Sequence, residues 1–267
     1  MKPTWPSAFL LCICFCLAAV ALGQDDVETL LVRLGTQPLD LHSLYALEAH
    51  PPDPRIIPAL EQTFDSRNDK SEKQEIAVTL LRLGDRPAKL FEFLAGYARI
   101  AVEDRTPLFM DFDGNGRAIR GRFSAEFDNW CKLNAQDPKT IAARQIGEYP
   151  KDVLFLARSQ DPRANAIFRE GLESPYPNVV AYSVQGLGRL QDTTALPLVA
   201  KACERLRGGQ IAVAMELPWY GTREAEALME RLVPDRKGRD FLTRQVQQMR
   251  VIELKEALSR ASAPNQK

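Results

Sequence analysis

The sequence predicts an all-α fold, an α-solenoid of stacked helical hairpins interrupted by one short β-hairpin. Three observations predict it. A phrase occurs twice, as Asp53-Pro54-Arg55-Ile56-Ile57-Pro58-Ala59-Leu60 and as Asp192-Thr193-Thr194-Ala195-Leu196-Pro197-Leu198-Val199. Its interval recurs: 32 residues separate Asp53 from Asp85, 31 separate Asp161 from Asp192, and a further 31 lead to Arg223. A fixed period of this length is the mark of a repeat architecture. Between these points the apolar residues fall at helical spacing, best seen in Ala164, Ile167, Phe168, Gly171 and Leu172 at i, i+3, i+4, i+7 and i+8. Two helices per period, each with one apolar face, hide that face only by stacking on neighbours.

The chain opens on Met1-Lys2, an apolar run from Ala8 to Leu22, and small residues at Ala21 and Gly23 just before Gln24-Asp25-Asp26. A basic start, a short apolar core and small residues at the boundary predict a secretory signal peptide over residues 1–23. The run is shorter than the roughly 20 residues that span a bilayer as a helix. Secretion, to the periplasm, is the expected location, with no membrane span after cleavage. Lys2 and three of the five cysteines leave with the signal, so residues 24–267 carry a formal charge of −1 and two thiols, Cys131 and Cys203. That balance offers no basic surface to nucleic acid. In a helical stack the two cysteines lie several layers apart, so two free, buried thiols are expected.

Each repeat opens with an Asp or Thr that caps a helix by accepting bonds from its first free N–H groups, and a Pro directly after the cap suits the first turn. Asp53-Pro54-Arg55 and Asp161-Pro162-Arg163 follow this rule, and Thr222 stands ready to open the next helix. The second helix of the first copy carries Ile76, Leu80 and Leu83 and stops at Gly84; that of the next carries Val180, Val184 and Leu187 after the break at Ser174-Pro175-Tyr176-Pro177. A long helix from Asp235 to Arg260 caps the stack, with Leu242, Val246, Met249 and Leu258 among its apolar positions and oppositely charged pairs Asp240/Arg244 and Glu256/Arg260 at i, i+4. A flexible tail over 261–267 ends the chain. The domain is thus expected to run over 24–260.

Helical periodicity stops over 104–123. Leu108, Met110 and Phe112 alternate before Asp113-Gly114-Asn115-Gly116, and Ile119 and Phe123 share a face after it, the pattern of a tight β-hairpin. The same stretch matches the first half of a calcium loop, with oxygens at Asp111, Asp113 and Asn115 and a Gly at position six. The second half departs from that pattern, because Arg122 stands where a bidentate Glu is needed. The hairpin without metal is therefore the preferred reading and calcium the alternative.

The period, the Asp-Pro-Arg openings, Ala195-Leu196-Pro197-Leu198 and Leu187-Gly188-Arg189-Leu190 resemble HEAT repeats of the bacterial type also called PBS-lyase HEAT-like. The resemblance covers Asp161 to about Val233 best, Asp53 to Phe93 fairly, and is absent over 104–123. It implies an α-solenoid whose second helices line a concave binding face, and it implies no particular ligand.

On that face Asn178, Tyr182, Gln185 and Arg189 share one side of a helix, and Val213 and Glu216 occupy the corresponding surface one period on, with Trp219 and Tyr220 just beyond. Tyr, Arg and Trp dominate binding hot spots. Tyr182, Gln185, Arg189, Glu216, Trp219 and Tyr220 are the expected partner-binding residues, and the partner is another protein. For catalysis the inventory is thin. His42 and His50, two turns apart on one expected helix, lack the i, i+4 spacing of a metal pair, and no nucleophile elbow, phosphate loop or dinucleotide fingerprint occurs. Glu72, Glu75 and Asp152 read as solvated helix faces. The expectation is a non-enzymatic protein-interaction scaffold without cofactor. A lyase-like enzyme or enzyme subunit, or a calcium-regulated binding module, is the alternative.

Overall fold

The structure is a computed structural model that describes residues 26–85, 87–112, 118–145, 149–206 and 210–262. The expected signal peptide lies outside the described residues. The chain divides into two compact units, Met1–Leu47 and Glu48–Lys267. In the first, helix α1 (Val27–Leu34) buries Val27, Leu30 and Leu34 at i, i+3 and i+7, and α2 (Leu41–Ala49) begins there.

The second unit is helical. Helix α3 (Ile56–Ser66) buries Ile56, Leu60 and Phe64, one stripe at i, i+4, i+8. Asp53 starts it by accepting from the Arg55 amide at 2.9 Å, and its carboxylate also holds the Arg55 guanidinium at 2.8 Å. Helix α4 (Lys70–Arg82) is capped by Asp69, which accepts from the Glu72 amide at 2.9 Å. Gly84, at φ 90°, ends it: the chain reverses and the Asp85 amide donates to the Leu80 carbonyl at 3.1 Å. Helix α5 (Ala88–Glu103) is long and buries seven residues, from Leu90 to Val102.

After α5 the chain forms strands β1 (Met110–Phe112) and β2 (Ala118–Phe123), paired antiparallel with Met110 opposite Phe123 and Phe112 opposite Ala118. Helices α6 (Glu126–Leu133) and α7 (Pro138–Ala143) follow. Phe109, Phe127, Cys131 and Ile141 form a small core of their own, with Phe123 stacked on Phe127 at 4.6 Å and Trp130 against Phe109 at 5.4 Å. Gln145 ties the segment shut, accepting from the Phe109 amide at 3.0 Å and donating to the Pro107 carbonyl at 2.8 Å.

Helix α8 (Tyr149–Ser159) then returns to pack on α5, α4 and α10. Helix α5 thus packs on α8, which lies beyond residues 104–148 in the chain.

Helices form over the stretch from Asp161 to Arg189. A 3-10 turn (Pro162–Ala164) leads into α9 (Asn165–Gly171), and α10 (Pro177–Arg189) buries Val180, Val184 and Leu187. Asp161 accepts from the Arg163 amide at 3.0 Å and pairs with its guanidinium at 2.6 Å, while that guanidinium lies over the Phe91 ring of α5 at 4.3 Å. The Arg of each Asp-Pro-Arg opening thus folds back on its own Asp. A second turn (Thr193–Ala195) precedes α11 (Leu196–Arg205), followed by α12 (Gln210–Glu216), a turn (Leu217–Trp219), α13 (Arg223–Leu232) and α14 (Arg236–Ser262). Thr222 caps α13, accepting from the Ala225 amide at 3.3 Å. On α14 Val246 is buried but Met249 is exposed, and Asp240 faces Arg236 at 3.9 Å. Within this unit α4, α8, α10 and α12 each pack on the next. Among the described residues no helix is long and apolar enough to cross a membrane. Cys131 and Cys203 are free and buried.

Candidate functional site

Three of the expected residues lie on one face of α10. Tyr182, Gln185 and Arg189 are spaced by three and four, which aligns them along the helix, opposite the buried valines. Asn178, one turn earlier, is exposed, Tyr182 and Arg189 are half-buried, and Gln185 is 7 % exposed. Its side-chain carbonyl Oε1 is buried with no hydrogen-bond partner among the described residues.

Helix α12 and the turn after it complete the group. The guanidinium of Arg189 lies 3.8 Å from the centroid of the Trp219 ring, a close cation–π contact. Glu216 accepts a hydrogen bond from the Trp219 indole and lies within the field of Arg189. Burial nevertheless pushes its carboxyl up to about 7, because those two partners only partly offset the loss of water. Tyr182 is shifted upward too, by burial first and by the Glu216 charge second. Tyr182, Arg189, Glu216 and Trp219 therefore form one electrostatic unit across two helices.

Trp219 and Tyr220 are 2 % and 1 % exposed. They form the floor of this unit and do not present themselves to a partner. Val213, expected at the surface, is fully buried. The reason is a close approach that spacing does not reveal. A Cβ on Gly188 would come within 2.8 Å of the Trp219 Cβ, so only glycine lets the turn settle on α10. Gln191 then donates to the carbonyls of Gly188 and Trp219, the latter at 3.1 Å, and pins the turn there. Neither Gly188 nor Gln191 stood out in the sequence as part of a site. The Tyr220 hydroxyl is buried without a hydrogen-bond partner among the described residues, and burial pushes it well above the usual phenol range, with the Asp192 charge adding to the shift. On α12, Ile211 and Met215 stand 57 % and 47 % exposed at i, i+4.

The carboxylates expected on solvated faces hold helices together instead. Asp152 is 3 % exposed and accepts from Lys70 Nζ at 2.8 Å and Gln74 Nε2 at 2.7 Å. Glu75 takes both ends of the Arg158 guanidinium at 3.1 and 2.9 Å. Glu72 pairs with Arg67 at 3.2 Å. The sequence could not pair Asp152 with Lys70, or Glu75 with Arg158, because α4 and α8 are some 80 positions apart.

Of the expected calcium ligands, Asp111 is on β1, while Asp113 and Asn115 lie outside the described residues. Among the described residues no group of three or more His, Cys, Asp or Glu could hold a metal ion. His42 lies on α2, and His50 follows its end, where its Nδ1 is 2.8 Å from the Pro51 carbonyl. A cleft of about 510 Å³ between Leu108, Pro175, Pro177 and Leu206 has Arg105 and Arg205 at its rim. Arg205 is committed to the carbonyls of Leu172, Glu173 and Ser174, which close the end of α9. Compared with family models, with curated proteins and with solved structures, the chain matches none.

Proposed function

We propose that this chain is a secreted, periplasmic α-solenoid of HEAT-like repeats, with a β-hairpin in its inserted segment, and that it serves as a scaffold that binds another protein. The binding face is the one lined by α10 and α12, within the row α4, α8, α10, α12. One observation carries the reading: Tyr182 and Arg189, two turns apart, meet Glu216 and Trp219 from the neighbouring helix pair in a half-open polar and aromatic cluster. Such a cluster on a rigid helical floor gives a partner an ordered surface, so little entropy is lost at the contact.

The test is affinity purification of the tagged protein after crosslinking in its native envelope, alongside the Tyr182→Ala, Arg189→Ala double variant. A partner retained by the wild type and lost by a variant of unchanged helical content supports the reading. Equal retention by both rules out this face.

A further inference from the structure

We propose a second binding site, independent of the α10/α12 face: the cleft of about 510 Å³ between residues 105–108, the α9–α10 connection and the end of α11 takes a small apolar molecule that carries one carboxylate, of the chemical class of a medium-chain fatty acid. Leu108, Pro175, Pro177 and Leu206 hold its hydrocarbon body, and the Arg105 guanidinium holds its carboxylate.

Small-ligand sites are pre-formed concavities of roughly 300–1,000 Å³ with a mostly apolar lining and a few polar groups. This cleft is of that size, and its walls are held from behind. Gln145 pins residues 107–109 through the Pro107 carbonyl and the Phe109 amide, and the Thr106 amide donates to Asp104 at 2.8 Å. In the α9–α10 connection Tyr176, buried between the two prolines, donates its hydroxyl to the same Asp104 at 3.4 Å. Arg205 fixes the third side by donating to the carbonyls of Leu172, Glu173 and Ser174. These walls are in place before a ligand arrives, so little ordering is left to oppose binding.

Charge complementarity selects the head. Among the described lining residues Glu173 is the one carboxylate, and Arg205 engages it at 3.0 Å. Arg105 is half exposed; it donates to the Val102 carbonyl, and its other partner, Glu170, stands at 3.8 Å, an ion pair beyond hydrogen-bond reach. The rest of its N–H groups carry no hydrogen bond among the described residues, and a carboxylate fits that fork with two parallel bonds. A cationic head would meet Arg105 as a like charge and would have to draw Glu173 away from Arg205. The backbone around the cleft selects the body. Pro175 and Pro177 have no N–H, the Tyr176 amide donates to Ser174 Oγ at 3.2 Å, and the carbonyls of residues 172–174 already accept from Arg205. A peptide laid here would lose water from its own amides and find few partners, whereas an alkyl chain has none to satisfy.

The experiment is titration calorimetry of the purified protein with decanoate below its micelle concentration, beside decyltrimethylammonium and acetate. Decanoate is expected to bind saturably at one site, the cation at least about tenfold more weakly, and acetate, which has the head without the body, not measurably. Arg105→Met keeps the stem, removes the charge and is expected to weaken decanoate binding by roughly tenfold or more. Leu108→Trp fills the cleft without changing charge and is expected to abolish it. Lys201→Met makes the same charge change at an exposed position on α11 and is expected to bind as the wild type does. The comparison of the three ligands on the wild type stands by itself should a variant lose its helical signal. Equal binding of decanoate and the cation overturns the inference, as does the absence of saturable decanoate binding. Equal weakening by Lys201→Met, or decanoate binding untouched by both Arg105→Met and Leu108→Trp, overturns it too. Partner capture through Tyr182 and Arg189 is a separate measurement, and its result stands whichever way this one falls.

Discussion

A carboxyl held at about 7 makes Glu216 the residue whose chemistry is most open to measurement. In the unfolded chain it titrates near 4.5, so between those values the folded state keeps a proton that the unfolded state has lost. Its contribution to stability therefore falls as pH rises from about 4.5 through about 7 and is flat above. Glu216→Gln is expected to remove that slope and to raise stability above pH 7 by about 1–3 kcal/mol, allowing for the part of the carboxylate that still meets water. Chemical denaturation across pH checks this; an unchanged slope would contradict the burial argument. Gly188→Ala makes a steric counterpart. The added methyl meets the Trp219 Cβ at 2.8 Å, backbone-linked on both sides, and is expected to cost about 2–3 kcal/mol and to shift Trp219 fluorescence. At this scale the sequence was legible in part. Helical spacing placed Tyr182, Gln185 and Arg189 on one face, but Trp219 and Tyr220 read as surface residues and are buried. An aromatic just past a helix end packs inward or outward according to whether a glycine across from it leaves room.

The seam between α4 and α8 shows what one element owes to another far away in sequence. Asp152 satisfies Gln74, which is 1 % exposed, as well as Lys70. Asp152→Ala leaves that amide buried without its acceptor and is expected to cost about 2–3 kcal/mol. Lys70→Ala, whose ammonium reaches water, is expected to cost less than about 1 kcal/mol. Thermal unfolding of the two variants distinguishes this one-sided latch from a simple ion pair, for which both losses would be alike. The inserted segment gives a second test. It has its own aromatic core, so replacing residues 105–147 by a short Gly/Ser linker should leave α5 packed on α8 and the remaining helices cooperative. Loss of helical signal by circular dichroism would show that the insertion holds the pair together. The helices α9 and α10 were legible because they are contiguous in the chain. The pairing of α5 with α8 was not, because residues 104–148 intervene and contain helices of ordinary periodicity.

For the whole molecule, helical spacing of the apolar residues carried the most. The apolar spacing at helical period pointed to an all-α chain, and among the described residues helices predominate, with β1 and β2 the strands. What a partner would touch is set by how α10 and α12 meet, a long-range fact that no local pattern contains. The most direct test of the account places a photo-crosslinking residue at Tyr182 and, separately, at exposed Lys201 on α11, and irradiates cells producing each protein. The account predicts a discrete adduct of one mass from position 182, none from 201, and its loss when Arg189→Ala is added. Identical adducts from both positions, or none from 182, would contradict a partner-binding face on α10 and α12.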